Sequence, residues 1–247
     1  MKSQSFDYVN HIVRILNRVK ETQWEGIDRC AGIMADTIAA GKSVFAFGAS
    51  HASIVSQELF YRTGGLAVLN AILPSEFMLN TRPVEQTSAM ERLEGYSSII
   101  LNNTRICAGD MLLLHSVSGR NTAAIEMALE AKAKGIATAA ITNMAYSGGV
   151  TSRHKSGKKL YQICDIVIDN CGEFEDSSIR LPGMKQKTGP TSSVAGCVIA
   201  NMIVIRTVEY LLERGVEPPV FRSANVDGGD EFNQILFERY KDQIHYR

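Results

Sequence analysis

The sequence predicts an α/β protein in which a parallel sheet lies between two layers of helices. Through the middle of the chain, short segments rich in Val, Ile, Leu and Ala alternate with helical segments, and the connections between them are short. This alternation is typical of parallel sheets whose crossover helices cover both faces. Residues 111–115 are apolar up to the final His, as expected of a central strand buried on both faces. The predicted architecture is therefore a three-layer sandwich.

The individual elements follow from local patterns. Strands are predicted where short apolar runs end at glycine, proline or polar clusters, over residues 44–47, 66–73, 111–115, 136–142 and 163–168. Helices are predicted where apolar residues recur every three or four positions, over residues 6–20, 24–40, 90–96, 122–134, 194–214 and 232–244. One domain over residues 1–247 accommodates them, with a helical arm (1–41), a sheet core (42–214) and a C-terminal extension (215–247).

The helical arm is predicted to be an antiparallel pair of helices in front of the sheet. The first helix has an apolar face, and the second ends at Gly41, which is a suitable helix C-cap. The pair packs either on its own domain or on a second subunit. The residues of the apolar face are Phe6, Val9, Ile12, Val13, Leu16 and Val19.

Composition excludes several classes of function. The chain has 26 basic and 26 acidic residues, so no overall field attracts nucleic acid or an anionic membrane. The apolar stretch of residues 194–205 is too short for a membrane span, and the N-terminus lacks an apolar signal core. Five cysteines without a CxxC pair indicate reduced, mostly buried thiols. We therefore expect a cytoplasmic protein that binds neither nucleic acid nor membrane.

The first candidate site is the turn that follows the strand of residues 44–47. Gly48, Ser50 and His51 lie between this strand and a helix that carries Glu58 and Arg62. A strand, a turn of small residues and a helix N-terminus together favour an anion, because backbone N–H groups and the helix dipole converge there. The glycine spacing matches neither of the common nucleotide-binding patterns.

A second turn has the same composition and the same place in the fold. Ser116, Ser118, Gly119 and Asn121 follow the strand of residues 111–115 and precede a helix. Ligands of open α/β sheets bind at the carboxyl ends of the strands. The two loops are therefore expected to hold one phosphate together, through hydroxyl and backbone donors.

These residues resemble the sugar isomerase (SIS) domain family. The run from Asp110 to Asn121 is similar to its second ligand loop, and Gly48-Ala-Ser-His51 is similar to its first. With the run from Glu58 to Gly65, the chain most resembles a bacterial subgroup of SIS proteins labelled phosphoheptose isomerases. The resemblance covers residues 42–212 and the helical arm.

The resemblance implies a five-stranded, flavodoxin-like parallel sheet in a homodimer or homotetramer, with sites near the subunit interface. It also implies a sugar phosphate as ligand. By resemblance the phosphate binds at Gly48, Ser50, Ser116, Ser118, Gly119 and Asn121, with Thr191 near it at a helix N-terminus.

Aldose–ketose isomerisation requires a base next to the carbonyl and groups that stabilise an enediolate. Glu58 is the candidate base, and an apolar neighbourhood would raise its pKa. Alternatively, Glu58 is a surface carboxylate paired with Arg62 at i,i+4. His51 is the second candidate, although it could equally hold the turn.

Other candidates carry weaker arguments. His115 is expected to be a packed residue whose polar atoms are satisfied, and His154 to be solvated in a basic loop or to close over an anionic ligand with nearby lysines. Where related isomerases place a catalytic His, this chain has Thr188, so the second acid–base group is not identified. Asp230 is expected to be a helix N-cap.

Three functions are compatible with these residues. The first is a cofactor-free phosphosugar isomerase, and no HxxxH or CxxC cluster predicts a metal. The second is a non-catalytic module that senses a phosphosugar. The third is a lyase or etherase that acts on a phosphosugar with the same base.

Overall fold

The computed structural model describes residues 3–247 and contains a five-stranded parallel sheet. The strands lie in the order β2-β1-β3-β4-β5. The strand order reverses between β1 and β3, and a crevice opens at the carboxyl ends of strands at such a point. The loops that follow β1 and β3 therefore flank this crevice. The strands are β1 (Val44–Phe47), β2 (Leu69–Ile72), β3 (Met111–His115), β4 (Ala137–Thr142) and β5 (Ile166–Asp169).

Helices cover both faces of the sheet, and the predicted three-layer fold is confirmed. Alternate strand residues enter two separate apolar clusters: Val44 and Met111 belong to one, and Phe45 and Leu112 to the other. The helices are α1 (Ser5–Thr22), α2 (Trp24–Ala39), α3 (Ser53–Leu59), α4 (Glu85–Met90), α5 (Tyr96–Asn103), α6 (Thr122–Ala133), α7 (Met144–Gly148), α8 (Ser192–Glu213) and α9 (Gly229–Arg239).

The predicted helix at residues 90–96 is wrong. Met90 ends α4, Tyr96 begins α5, and residues 91–95 form the link between the two helices, with a φ of 83° at Gly95. The Gly95 N–H donates to Glu126 Oε1 at 2.7 Å, so a carboxylate from α6 fixes the break. This link proves important for the candidate site.

The helical arm belongs to the fold of its own chain. Helix α2 buries Ile27, Cys30 and Met34 against the sheet and α8. Helix α1 is attached less completely, because Phe6 and Val9 are 63% and 58% exposed. The apolar face predicted for α1 is therefore only partly buried on the protomer.

Helix α8 confirms the helix predicted over residues 194–214 and extends beyond the apolar stretch of residues 194–205. By length and composition alone it is apolar enough to cross a membrane, with a mean hydropathy of 1.6 over its most apolar window. It packs against α1, α2 and α3, and 44% of that window is buried inside the protein. Core helices pass the same composition test, so this property is weak support for a membrane span.

The residues after α9 complete one end of the sheet. His245 N–H donates to Asn70 Oδ1 at 2.7 Å, and the His245 ring stacks on Phe45. His245 Nε2 also lies 2.8 Å from Ser43 Oγ. Helix α9 begins at Gly229 with Gly228 as its N-cap, so Asp230 lies in the first turn and is not the cap that was predicted.

Candidate functional site

The loop after β1 is a tight turn held from within. Ser50 begins a short 3₁₀ turn with a φ of 51°, and Ser53 Oγ donates to the Ser50 carbonyl at 2.7 Å. A Cβ at Gly48 would lie 2.3 Å from the Ala52 carbonyl oxygen, so the turn requires glycine there. Ser50 is half-buried and His51 is exposed. Both therefore remain within reach of a ligand in the crevice.

The loop after β3 is equally constrained. Gly119 has a φ of 58°, and a Cβ on it would lie 2.9 Å from Ser147 Oγ. Thr142 Oγ1 donates to the Ser116 carbonyl at 2.7 Å, which ties the loop to β4. Ser116 and Ser118 are half-buried. Helix α6 follows directly, with Asn121 as its N-cap residue.

One carboxylate joins the two loops. Glu91, in the link between α4 and α5, accepts a hydrogen bond from Ser50 Oγ on one oxygen. Its other oxygen accepts from Asn121 Nδ2 at 2.5 Å. The Glu91 backbone carbonyl also accepts from the Ala123 N–H at 3.0 Å, in the first turn of α6. Two predicted ligand residues thus meet at a single anionic group.

Arg120 and Arg153 lie beside this bridge, and the charge of Arg92 also acts on Arg153. Arg153 Nη1 donates to Asn121 Oδ1 at 2.8 Å, and the Arg153 N–H donates to the Arg120 carbonyl at 2.9 Å. Burial, together with the positive charges of Arg120 and Arg92, lowers the pKa of Arg153. Positive charge is therefore concentrated beside the bridged loops.

His115, the last residue of β3, contacts the loop that follows β1. The side chain is buried at the end of β3, and its Nδ1 lies 3.1 Å from the Ala52 carbonyl oxygen in the loop after β1. Burial lowers the pKa of His115, so the neutral imidazole is favoured. The predicted packing of His115 is confirmed, but the prediction that its polar atoms are satisfied is wrong, because Nε2 is buried without a hydrogen-bond partner among residues 3–247.

Thr191 lies at the N-terminus of α8 as predicted, but it is fully buried. Its N–H and that of Ser192 donate to Asp176 Oδ1 at 3.0 and 2.8 Å. Asp176 therefore caps this helix, and its carboxylate interacts favourably with the positive end of the helix dipole. A ligand would contact Thr191 only after Asp176 had moved.

Glu58 lies apart from the bridged loops. It is eight residues beyond Ser50, or about 12 Å along a helix axis at 1.5 Å per residue. Its carboxylate pairs with Arg62 and accepts from Asn201 Nδ2 of α8 at 3.0 Å. The sequence predicted that Arg62 lies in the same helix as Glu58. This prediction is wrong, because α3 ends at Leu59 and Arg62 follows it.

Glu58 borders an open groove between α3 and α8. The groove is mostly apolar and has a volume of about 560 Å³. Its lining includes Ile205, which is 60% exposed, and Cys197, whose thiol pKa is raised by burial. Glu58 is thus a carboxylate beside an apolar surface, about a third exposed.

The sequence predicted a solvated His154, but the side chain is buried. It is 8% exposed, and its Nδ1 lies 2.8 Å from Ser156 Oγ. Its Nε2 is 3.9 Å from Oε1 of Glu126, which is also buried. This buried pair supports the loop that carries Arg153 and the link that carries Glu91.

Sequence reasoning missed Glu91 and the three arginines. Glu91 lies 41 residues from Ser50 and 30 from Asn121, so no local motif connects them. Only the concentration of charged residues in the run from Glu91 to Glu94 could have drawn attention to it. Across residues 3–247, no three His, Cys, Asp or Glu side chains converge as a metal site would require.

Comparison with known proteins agrees with this architecture. The model of the SIS domain family matches residues 7–143. A UPF0309 protein of Shouchella clausii is 47% identical over 239 residues, which covers 97% of each chain. A UPF0309 protein of Oceanobacillus iheyensis is 46% identical over 240 residues, which covers 97% of this chain and 98% of that one.

Solved structures resemble the fold at low sequence identity. The phosphoheptose isomerase of Neisseria gonorrhoeae has a TM-score of 0.55 and 14% identity, covering 83% of this chain and 97% of its own. The NanR protein of Vibrio vulnificus has a TM-score of 0.51 and 14% identity, covering 97% of this chain and 70% of its own. These likenesses concern the fold alone.

Proposed function

The chain belongs to the SIS domain family, and we propose that it binds a sugar phosphate and interconverts its aldose and ketose forms through an enediolate. The observation that carries this proposal is the bridge between Ser50 and Asn121 through the Glu91 carboxylate. It supports a site in which two strand-end loops hold one oxygen anion. A phosphate offers the same kind of acceptor oxygens with more charge.

The fold neighbours support this class of ligand. Two of them are phosphoheptose isomerases, from Neisseria gonorrhoeae and Francisella tularensis. The NanR protein of Vibrio vulnificus was solved in complex with ManNAc-6P. That complex also favours the second candidate function, a non-catalytic module that senses a sugar phosphate.

The proposed roles follow the position of each side chain. The proposed phosphate-binding residues are Gly48, Ser50, Ser116, Ser118, Gly119, Asn121 and Thr191, and the Thr191 hydroxyl donates to Asp176 in this structure. Glu58 is the proposed base for the C2 proton, and His51 is proposed to donate to a sugar oxygen. Proton transfer between C1 and C2 needs no redox partner, so the proposed reaction uses no cofactor.

We also propose a homo-oligomer with the site near a subunit interface, formed by one domain over residues 1–247 and active in the cytoplasm. The groove between α3 and α8 supports this, because exposed Val194 and Ile205 lie on the same side as Glu58. A second copy on this groove would bury both apolar side chains and desolvate Glu58.

The direct test is proton exchange at C2. The protein is incubated in D₂O with hexose, amino-sugar and heptose phosphates, and loss of the C2 proton signal is followed by NMR. We expect exchange with at least one substrate and interconversion of its aldose and ketose forms. Binding without exchange for every sugar phosphate would favour the sensing module and reject the isomerase.

A further inference from the structure

Positive charge near the bridged loops exceeds the negative charge that faces it. Arg120 Nη2 donates to Thr151 Oγ1 at 3.2 Å, and Arg153 donates to Asn121, so both guanidinium groups use neutral acceptors. Within the described residues 3–247, no carboxylate oxygen lies within 4 Å of Arg92, Arg120 or Arg153. Unpaired arginines concentrated at one crevice favour binding of an anion.

One donor of this cluster is also unsatisfied. Arg120 Nε is shielded from solvent, and no acceptor lies within hydrogen-bond distance of it among residues 3–247. A buried N–H without a partner costs free energy, because water no longer satisfies it. An acceptor oxygen supplied by a ligand would remove that cost.

Glu91 occupies the neutral donors of the same crevice. Its two oxygens take the hydrogen bonds of Ser50 and Asn121, which are the donors expected to hold a phosphate. A phosphate and a carboxylate cannot share these donors, because each oxygen would face another negative oxygen at close range. Ligand binding at this place therefore requires Glu91 to leave.

We propose that Arg120 and Arg153 form the phosphate-binding centre of this protein, and that Glu91 fills the adjoining Ser50–Asn121 position until a phosphorylated ligand displaces it. This inference rests on the proposed function and deepens it by naming the cationic groups and the internal competitor. The ligand class is a phosphate monoester, whose dianion matches an excess of unpaired guanidinium groups.

Displacement needs little movement of the backbone. The link that carries Glu91 is held by the Ala123 N–H on one side and by the Gly95 N–H bonded to Glu126 on the other. Both bonds survive when the Glu91 side chain alone rotates out of the crevice. Side-chain rotation in a half-exposed residue is fast, so the exchange need not limit turnover.

The test measures binding of inorganic phosphate and of glucose 6-phosphate by calorimetry at low ionic strength. Glu91→Ala and Glu91→Gln are compared with the wild type and with Glu85→Gln, which removes an exposed carboxylate from the same segment. We expect Glu91→Ala to bind phosphate at least about tenfold more tightly, because the internal competitor is gone. Glu85→Gln should bind as the wild type does.

Substitution of the arginines should weaken phosphate binding, which is the opposite of the effect expected for Glu91→Ala. Arg120→Gln and Arg153→Gln should each weaken phosphate binding about tenfold in the Glu91→Ala background, while circular dichroism confirms the fold. Unchanged or weaker phosphate binding by both Glu91 variants would overturn the proposal.

The two ligands separate this proposal from the proposed function. Tighter phosphate binding by Glu91→Ala without any binding of sugar phosphates in a wider panel would retain the anion centre and reject the phosphosugar function. Sugar-phosphate binding that is equal in the wild type and Glu91→Ala would retain the function and reject Glu91 as competitor.

Discussion

Glu91 and Glu58 are both half-buried carboxylates, but they lie in opposite surroundings. Glu91 lies among hydroxyl, amide and guanidinium donors at the carboxyl end of the sheet. Glu58 lies beside an apolar groove and is held by Arg62 and Asn201. The first environment supplies donors and positive charge to an anion, as the proposed exchange of Glu91 for a phosphate requires. The second suits a group that becomes desolvated when the groove is covered, as a base requires.

The largest expected effect is on Glu58. Glu58→Gln should lower the rate of C2 proton exchange by about 10²–10⁴-fold and leave sugar-phosphate binding almost unchanged. Glu231→Gln, an exposed change on α9, serves as the control and should keep the full rate. A Glu58→Gln variant with an unaltered rate would remove the distinction between the two carboxylates.

Introducing a charge into the groove beside Glu58 tests whether this groove is a subunit contact. Ile205→Asp should weaken self-association about 100-fold, because a carboxylate would be buried at an apolar contact. Leu212→Asp is a matched control, because Leu212 lies on the same helix with an exposure of 61% but does not line the groove. Sedimentation velocity measures both variants. Equal association states for the two would show that the groove is not a subunit contact.

Substitution of Gly119 tests how tightly the loop after β3 is packed. Gly119→Ala should lower the free energy of unfolding by about 2–3 kcal/mol, because it adds a contact with Ser147 to the cost of a positive φ. Gly157→Ala has a similar φ of 69° and no atom within 4 Å of the added Cβ, so it should cost about 1 kcal/mol. Urea denaturation of the two variants isolates the contact. Equal losses would mean that the loop yields to the added carbon.

The smallest effect is the pH dependence that His115 contributes. Its folded-state pKa is lowered by burial, so below about pH 6.5 the unfolded chain binds a proton that the folded chain does not. Stability is therefore lost as pH falls, with a slope of at most about 1.4 kcal/mol per pH unit. His115→Gln should show a shallower slope between pH 7 and 5. His245, whose pKa is also lowered by burial, contributes to both proteins alike.

The fold was predictable because its patterns are local. The apolar composition of Met111–His115 is enough to predict a buried strand. The alternation of strand and helix patterns around it predicts a parallel sheet. Ser50 and Asn121 were identifiable because each follows its own strand. Glu91 was not, because its partners come from two distant segments. The link that holds it is set by Gly95 bonding to Glu126, a contact that no local pattern contains.

The same limit explains the residues whose surroundings were misjudged. His154 lies in a run of basic residues, which is typical of a solvated loop. It is buried because Glu126 lies beneath it, 28 residues away in sequence and on another element. Asp176 likewise reaches the N-terminus of α8 from 15 residues away and accepts hydrogen bonds from the N–H groups of Thr191 and Ser192. Such pairings depend on chain topology, which residue spacing does not reveal.

The contact between Ser43 and His245 has a consequence for biosynthesis. These residues are 202 positions apart, and they meet beside the first strand of the sheet. While the chain is being made, the Phe45 ring of β1 lacks its stacking partner until His245 has been added. Contacts between distant segments form late and leave apolar surface open in the meantime. Packing around the Phe45 ring is therefore completed late, after the segment that carries His245 has been made.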